Sequence, residues 1–225
     1  TVSEERGIGA ARRWIKSEFD RISDQCDNCL EVFYHSAIEP KNDRRITRDT
    51  KIVNVVAIQR GSVFPDRYVI MSGDIDSRVS DANNYTSDSP GANDNASGMA
   101  GTIEAARVLS KYDFPVSIVY VGLSGEEQGL YGGKHLAKKA KNEGWDIIGI
   151  INNDMIGNIH GIDGVIDNGT FRVFSEAISM TLTEKEKRAM RFYGGEVDGP
   201  SRQLARYIDR ITDEYMTNLD AIMIY

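Results

Sequence analysis

Three apolar runs in the chain end directly in acid: RYVIMSGDID stops at Asp74 and Asp76, VSIVYVGLSGEE at Glu126 and Glu127, and IIGIINNDM at Asp154. Short β-branched runs bounded by Gly read as buried strands, and open α/β sheets gather ligands outside the carboxyl ends of such strands. A chain patterned this way is constrained to bring its carboxylates to one end of one sheet. Asp94, in the small-residue loop PGANDNASG, is expected to join them. Crowded carboxylates cannot all stay ionised at neutral pH without a cation among them, so the pattern calls for a metal. With 34 Asp+Glu and a formal net charge of -7, any one of these acids alone reads more simply as a helix cap or a solvated loop. The set argues otherwise, because each acid follows an apolar run and two segments carry small-residue loops that let backbone approach a ligand.

At 225 residues and 40% hydrophobic content the chain is long enough for one large core, and the expectation is a single domain over 1–225. The acidic balance argues against a nucleic-acid partner, since phosphate neutralisation needs a basic patch. The clusters at Arg12 and Arg13, and at Lys138 to Lys141, alternate with apolar residues and read as solvated helix faces. No apolar stretch reaches the ~20 residues of a membrane span, and no leading signal segment is visible. Both ends read as cut, the last in the strand-like LDAIMIY, so the domain is expected to lack its C-terminal end. Cys26 and Cys29 in CDNC have no second pair, which leaves a structural zinc site without half its ligands. A local disulfide or two thiols remain, and a disulfide suits an oxidising, secreted or periplasmic setting.

Ser3 to Ile22 carries the spacing of an amphipathic helix, and LEVFYH and KIVNVVAIQRG read as an antiparallel pair around a polar stretch at Pro40 to Asp49. RYVIMSGD is the third strand, NASGMAGTIEAARVLSKY a helix, PVSIVYVGLS a strand buried on both faces, EEQGLYGGKHLAKKAKNEG a helix and DIIGIINND the next buried strand. Strand and helix alternate as in a mixed sheet covered on both faces: an α/β class, three-layer α/β/α. Beyond Asp154, MIGNIHGIDGVIDNGT reads as loop or hairpin, and SEAISMTLTEKEKRA and PSRQLARYIDRITDEYM as helices.

The ordered set SGDID, PGANDNASG, SGEEQGLYGG and NNDMIG, over about residues 68 to 158, resembles the di-zinc aminopeptidase family of metallopeptidases. That family includes bacterial leucyl aminopeptidases, with glutamate carboxypeptidase and glutaminyl cyclase as relatives. The resemblance implies a zinc-exopeptidase-like fold and a metallopeptidase catalytic domain. It also implies a peptide substrate with a free N-terminus and two divalent metal ions, zinc by family. In the family's Gly-His-x-Asp motif the His binds the first metal and the Asp supports it; here these positions are Asp74 and Asp76. Asp94 corresponds to the carboxylate bridging both metals, Glu127 to a ligand of the second, Asp154 to a ligand of the first and Glu126 to the general base. The family's second His ligand lies beyond the segment matched here. With Asp74 in place of His the first site becomes all-carboxylate, which favours manganese or another hard cation alongside zinc.

His35, His135 and His160 sit in no matching motif and read as structural or solvent-facing. A serine hydrolase is disfavoured, because Ser124 lacks a Gly-x-Ser-x-Gly elbow and no acid and His follow in triad order. The competing functional class is a noncatalytic, receptor-like domain with an impaired metal site. On the same frame, carboxypeptidase or cyclase chemistry stands beside the aminopeptidase reading.

Overall fold

The apolar runs form a five-stranded mixed sheet. β1 (Leu30–Glu39), β2 (Thr50–Gln59), β3 (Phe64–Asp74), β4 (Val116–Leu123) and β5 (Asp146–Asn152) lie in the order β1-β2-β4-β3-β5 in this computed structural model. It describes Ser3, residues 5–42 and residues 44–224. β1 and β2 pair antiparallel, as do β2 and β4, whereas β3 runs parallel to both β4 and β5. Val55 and Val56 of β2 and Val119 and Val121 of β4 are fully buried, as β-branched runs in strands covered on both faces should be.

On one face, α1 (Gly7–Asp24) brings Ile15, Phe19 and Ile22, and α2 (Gly98–Leu109) brings Met99 and Ala106, onto Val55, Ala57 and Tyr120. On the other, α3 (Tyr131–Glu143) sets Leu136 on Val56, Ile58, Ile70 and Val121. The result is the expected three-layer α/β/α arrangement. Cys26 and Cys29 form a disulfide just after α1. No helix among the described residues is long and apolar enough to cross a membrane.

The chain divides into two units, residues 1–157, which hold this sheet, and residues 158–225. In the second, β6 (Thr170–Phe174) pairs parallel with β7 (Asp220–Ile224), with α4 (Glu184–Phe192) and α5 (Pro200–Tyr215) between them in sequence. Pro200 opens α5 at a position that needs no N–H donor.

Several elements differ from the sequence reading. The first helix starts at Gly7, not Ser3; Thr1, Val2 and Glu4 lie outside the described residues, as does Tyr225 after β7. The segment expected to be helical from Glu126 forms a turn first and becomes helix only at Tyr131, because Gly125, Gly129 and Leu130 take positive φ. β5 is an edge strand and not buried on both faces. Ile148 and Ile150 are 54% and 55% exposed, and a run of isoleucines looks alike to a periodicity argument whether one face is covered or two. The helix expected from Ser175 begins only at Glu184, where Thr183 and Glu186 form a capping box. The loop after Asp154 contains a single antiparallel bridge, His160 to Ile166.

Phe19 is fully buried between α1 and the sheet, and Trp14 on the same helix is 59% exposed. Phe19→Ala should lower unfolding free energy by about 3–5 kcal/mol in urea melts, and Trp14→Ala by less than about 0.5 kcal/mol. Equal losses would mean that α1 does not pack as described.

Candidate active site

β4, β3 and β5 lie side by side and parallel, so their carboxyl ends share one edge of the sheet. Asp74, the last residue of β3, pairs with Leu123 of β4, and Ser72 two residues earlier pairs with Asn152 of β5. Neighbouring strands are ~4.8 Å apart, which places the acids that follow each strand within electrostatic reach of one another.

Asp76 organises the turn after β4. The ladder extends one step beyond β3, where the Ile75 N–H donates to the Leu123 carbonyl at 2.7 Å. The Asp76 carboxylate then accepts three consecutive backbone N–H groups, from Gly125 at 2.7 Å, Glu126 at 3.2 Å and Glu127 at 3.1 Å. Gly125, at φ 73°, allows the turn that aims these donors at one carboxylate. Burial raises the Asp76 pKa and the three N–H bonds oppose it, leaving it above the ordinary range. Asp76 thus holds the backbone that carries both glutamates.

The Asp94 loop is held by a residue the sequence reading did not single out. Asn95 is buried, and its Nδ2 donates to Asp74 Oδ2 at 3.1 Å and to the Asn153 carbonyl at 2.9 Å. Its Oδ1 accepts the N–H of Gly98 at 3.1 Å and of Met155 at 3.2 Å. One amide therefore ties the loop to the ends of β3 and β5. The approach is close enough that a Cβ on Gly98 would stand 2.1 Å from the Asn153 carbonyl oxygen, which excludes any other residue there. Asp94 lies in the turn Ala92–Ser97, whose backbone is non-helical at Asp94 and Asn95, and its peptide bond to Asn95 is cis. Local sequence holds one signal for the pin: an amide flanked by Asp94 and a Gly-rich helix start.

The electrostatics record the convergence. Asp74 is 5% exposed, and burial, then the Glu126, Asp76 and Asp154 charges, push its pKa up to about 7 against the opposing Asn95 hydrogen bond. Glu126 is raised by burial and then by Glu127, Asp76, Asp154 and Asp94, and Asp154 by burial and then by Asp94 and Glu127. All six predicted acids thus enter one network. Glu127 also carries two cationic contacts not foreseen: Arg78 Nε sits 2.5 Å from its Oε2, and Arg45 donates to its backbone carbonyl.

Within residues 1–157, His35 and His135 make their contacts outside this network. His135 Nε2 faces Glu39 at 3.1 Å, His35 Nδ1 faces the Asn54 amide at 3.4 Å, and His160 is exposed.

The donor set fits a divalent cation in charge, since mutually repelling carboxylates, here the buried Asp74, the intermediate Glu127 and the exposed Asp94 and Asp154, gain from one. Their spacing is open: among the described residues no three His, Cys, Asp or Glu side chains stand close enough to form a preassembled ligand cage. Asp74, Asp94, Asp154 and Glu127 are the side chains that would hold an ion.

Burial and repulsion give a test in the metal-free protein. The folded pKa of Asp74, about 7, lies above the 3.8 of a free side chain, so its stabilising contribution is complete below pH ~4 and is lost as pH rises through 7. Asp74→Asn is neutral throughout. Its stability relative to the parent should therefore rise by about 2–4 kcal/mol between pH 4 and pH 8 in paired urea melts. A pH-independent difference would contradict the described burial.

Comparison with known proteins agrees with this frame. The profile of peptidase family M28 matches residues 54–216. A probable zinc metalloprotease of Leptosphaeria maculans is 39% identical over 219 residues, covering 97% of this chain and 51% of that protein. The chain spans about half the length of the curated relatives it matches. Among solved structures, a Legionella pneumophila aminopeptidase superposes with TM-score 0.63 at 20% identity, over 95% of this chain and 46% of that one. A Macrostomum lignano glutaminyl cyclase gives 0.59 at 18% identity, over 96% and 64%. These two share the fold of this chain. From the span of the profile match and the identity to its relatives, the chain belongs to peptidase family M28.

Proposed function

We propose that residues 1–225 are part of the catalytic domain of a zinc-dependent exopeptidase, an aminopeptidase that removes N-terminal residues from peptides with two metal ions. The observation that carries this reading is the shared electrostatic network of Asp74, Asp76, Glu126, Glu127 and Asp154, which follow three adjacent strands, with Asp94 from the turn before α2, the pKa of Asp74, Asp76, Glu126 and Asp154 being raised. The zinc metalloproteases among its relatives support zinc as the metal. The metal count is taken from the family resemblance, and the Cys26–Cys29 disulfide supports a secreted setting.

In the proposed mechanism bound zinc supplies Lewis-acid polarisation of the scissile carbonyl. Glu126 takes the proton of the attacking water on its carboxylate and returns it to the leaving amine. A pKa raised by burial and by four neighbouring carboxylates brings that group closer to the operating pH, as a general base requires. Asp76 keeps Glu126 in register by fixing the backbone N–H groups of the turn. Asp74, Asp94, Asp154 and Glu127 would hold the metal, and Glu127 would exchange its Arg78 contact to do so.

A second reading has a specific observation behind it. Asp74 replaces the family His and Glu127 is already paired with Arg78, as in a metal-impaired binding domain. Metal content and turnover on aminoacyl, C-terminal and glutaminyl peptide substrates separate the two readings, and separate aminopeptidase from carboxypeptidase and cyclase.

Glu126→Gln should keep metal content and lose roughly 10²- to 10⁴-fold in kcat, because the amide cannot accept the proton. Parental turnover in that variant would remove Glu126 from the base role. Asp74→His should raise the affinity for zinc relative to manganese in parallel titrations, as a nitrogen ligand replaces oxygen. An unchanged ratio would mean that Asp74 does not contact the metal.

A further inference from the structure

The segment joining β1 to β2 is rich in cations for an acidic chain, with Lys41, Arg44, Arg45, Arg48 and Lys51 beside the acids Asp43 and Asp49 within eleven residues. Part of it is committed to the carboxylate site: Arg45 donates to the Glu127 carbonyl, and Asn42 Nδ2 donates to the Tyr131 hydroxyl at 2.8 Å. The other part borders a cleft of about 280 Å³ lined by Arg12, Arg48, Asp49, Thr50, Lys51 and Val53. Arg48 and Lys51 are exposed and Arg12 is half-buried.

Three features mark this cleft for an anion. First, the Arg12, Arg48 and Lys51 side chains make no ion pair or hydrogen bond to a described residue. Second, the one acid among the described lining residues, Asp49, has Oδ1 turned to the backbone N–H of Lys41 at 2.9 Å. Third, Arg12 is crowded: burial, and after it the Arg13 charge, lower its pKa, with only Tyr34 opposing. Three cations set against one acid around a concavity gain from an oxyanion, and a guanidinium can bind one through two parallel hydrogen bonds.

The position says which anion. Val53 in the cleft wall accepts a hydrogen bond through its carbonyl from Ser124 Oγ at 2.6 Å, and Ser124 lies two residues before Glu126. The cleft is therefore joined through Val53 to the segment that carries the proposed base.

We propose that this cleft is an oxyanion subsite in which Arg12, Arg48 and Lys51 receive a carboxylate of the peptide substrate, giving preference for acidic peptides. The proposal rests on the metallopeptidase reading above. Its test uses binding and not turnover, so the two fail independently. The probes are N-acetylated, C-amidated tetrapeptides differing by Glu against Gln at one position at a time. Their dissociation constants for the zinc-loaded protein are measured at low and high NaCl, beside inorganic phosphate.

At least one Glu peptide should bind about tenfold tighter than its Gln partner at low salt, with the preference shrinking as salt rises. In the Arg48→Gln/Lys51→Gln protein, changed only at exposed positions, the preference should fall to within about twofold. Lys51→Gln alone should lose part of it, which keeps the test open if the double variant folds poorly. No Glu preference in the parent, a preference unaltered by both variants, or phosphate binding without acidic-peptide preference would each overturn the proposal.

Discussion

The three hydrogen bonds that Asp76 accepts from Gly125, Glu126 and Glu127 are the constraint on which the site depends. They join the end of β3 to the turn after β4, two segments about fifty residues apart in the chain, and do so through backbone groups. The turn's course is thereby set while the side chains of Glu126 and Glu127 stay available. Taking the Asp76 carboxylate away would leave three N–H groups without their acceptor, at a cost of about 1–3 kcal/mol for each one that stayed buried.

Around that anchor the protein positions negative charge mainly with neutral donors. Asn95 gives both amide hydrogens and both oxygen lone pairs to the loop junction, and Asn93 Oδ1 accepts the Gly157 N–H at 2.9 Å. An amide pins backbone without cancelling the charge that a metal would need. The raised pKa values of Asp74, Asp76, Glu126 and Asp154 are the energetic counterpart: without a cation the folded state holds these groups less comfortably as anions than the unfolded chain does. Among the described residues Arg78 is the one cation paired with a side chain of the set, and its partner is Glu127.

The sheet explains why the chemistry gathers at one end. With β4, β3 and β5 parallel, three carboxyl ends share an edge, whereas β1 and β2 run antiparallel and bring their connecting basic loop to the same end. Acids and the cations bordering them are therefore products of one topology. Burial of the β-branched centres of β2 and β4 by helices on both faces gives that topology a rigid base.

Much of this was legible in the residues. Periodicity marked the strands, the alternation of strand and helix marked the layers, and acids placed just after apolar runs marked the site. Three things were not legible. The edge position of β5 depends on which strands pair, and a short isoleucine run does not record its neighbours. The strand at Thr170–Phe174 acquires its partner at Asp220–Ile224, some fifty residues on, so no local pattern announces the pairing. The late start of α3 depends on positive φ values that propensity does not register. By itself the sequence determined which side chains stand at the strand ends, because hydrophobic runs must be buried and their polar termini must emerge. Only the tertiary structure decided the division of labour among them: Asp76 engaged by three N–H groups, Asp74 buried against Asn95, Glu127 held by Arg78. Those assignments depend on the order β4-β3-β5 and on a loop folded across it, which are long-range contacts with no local signature.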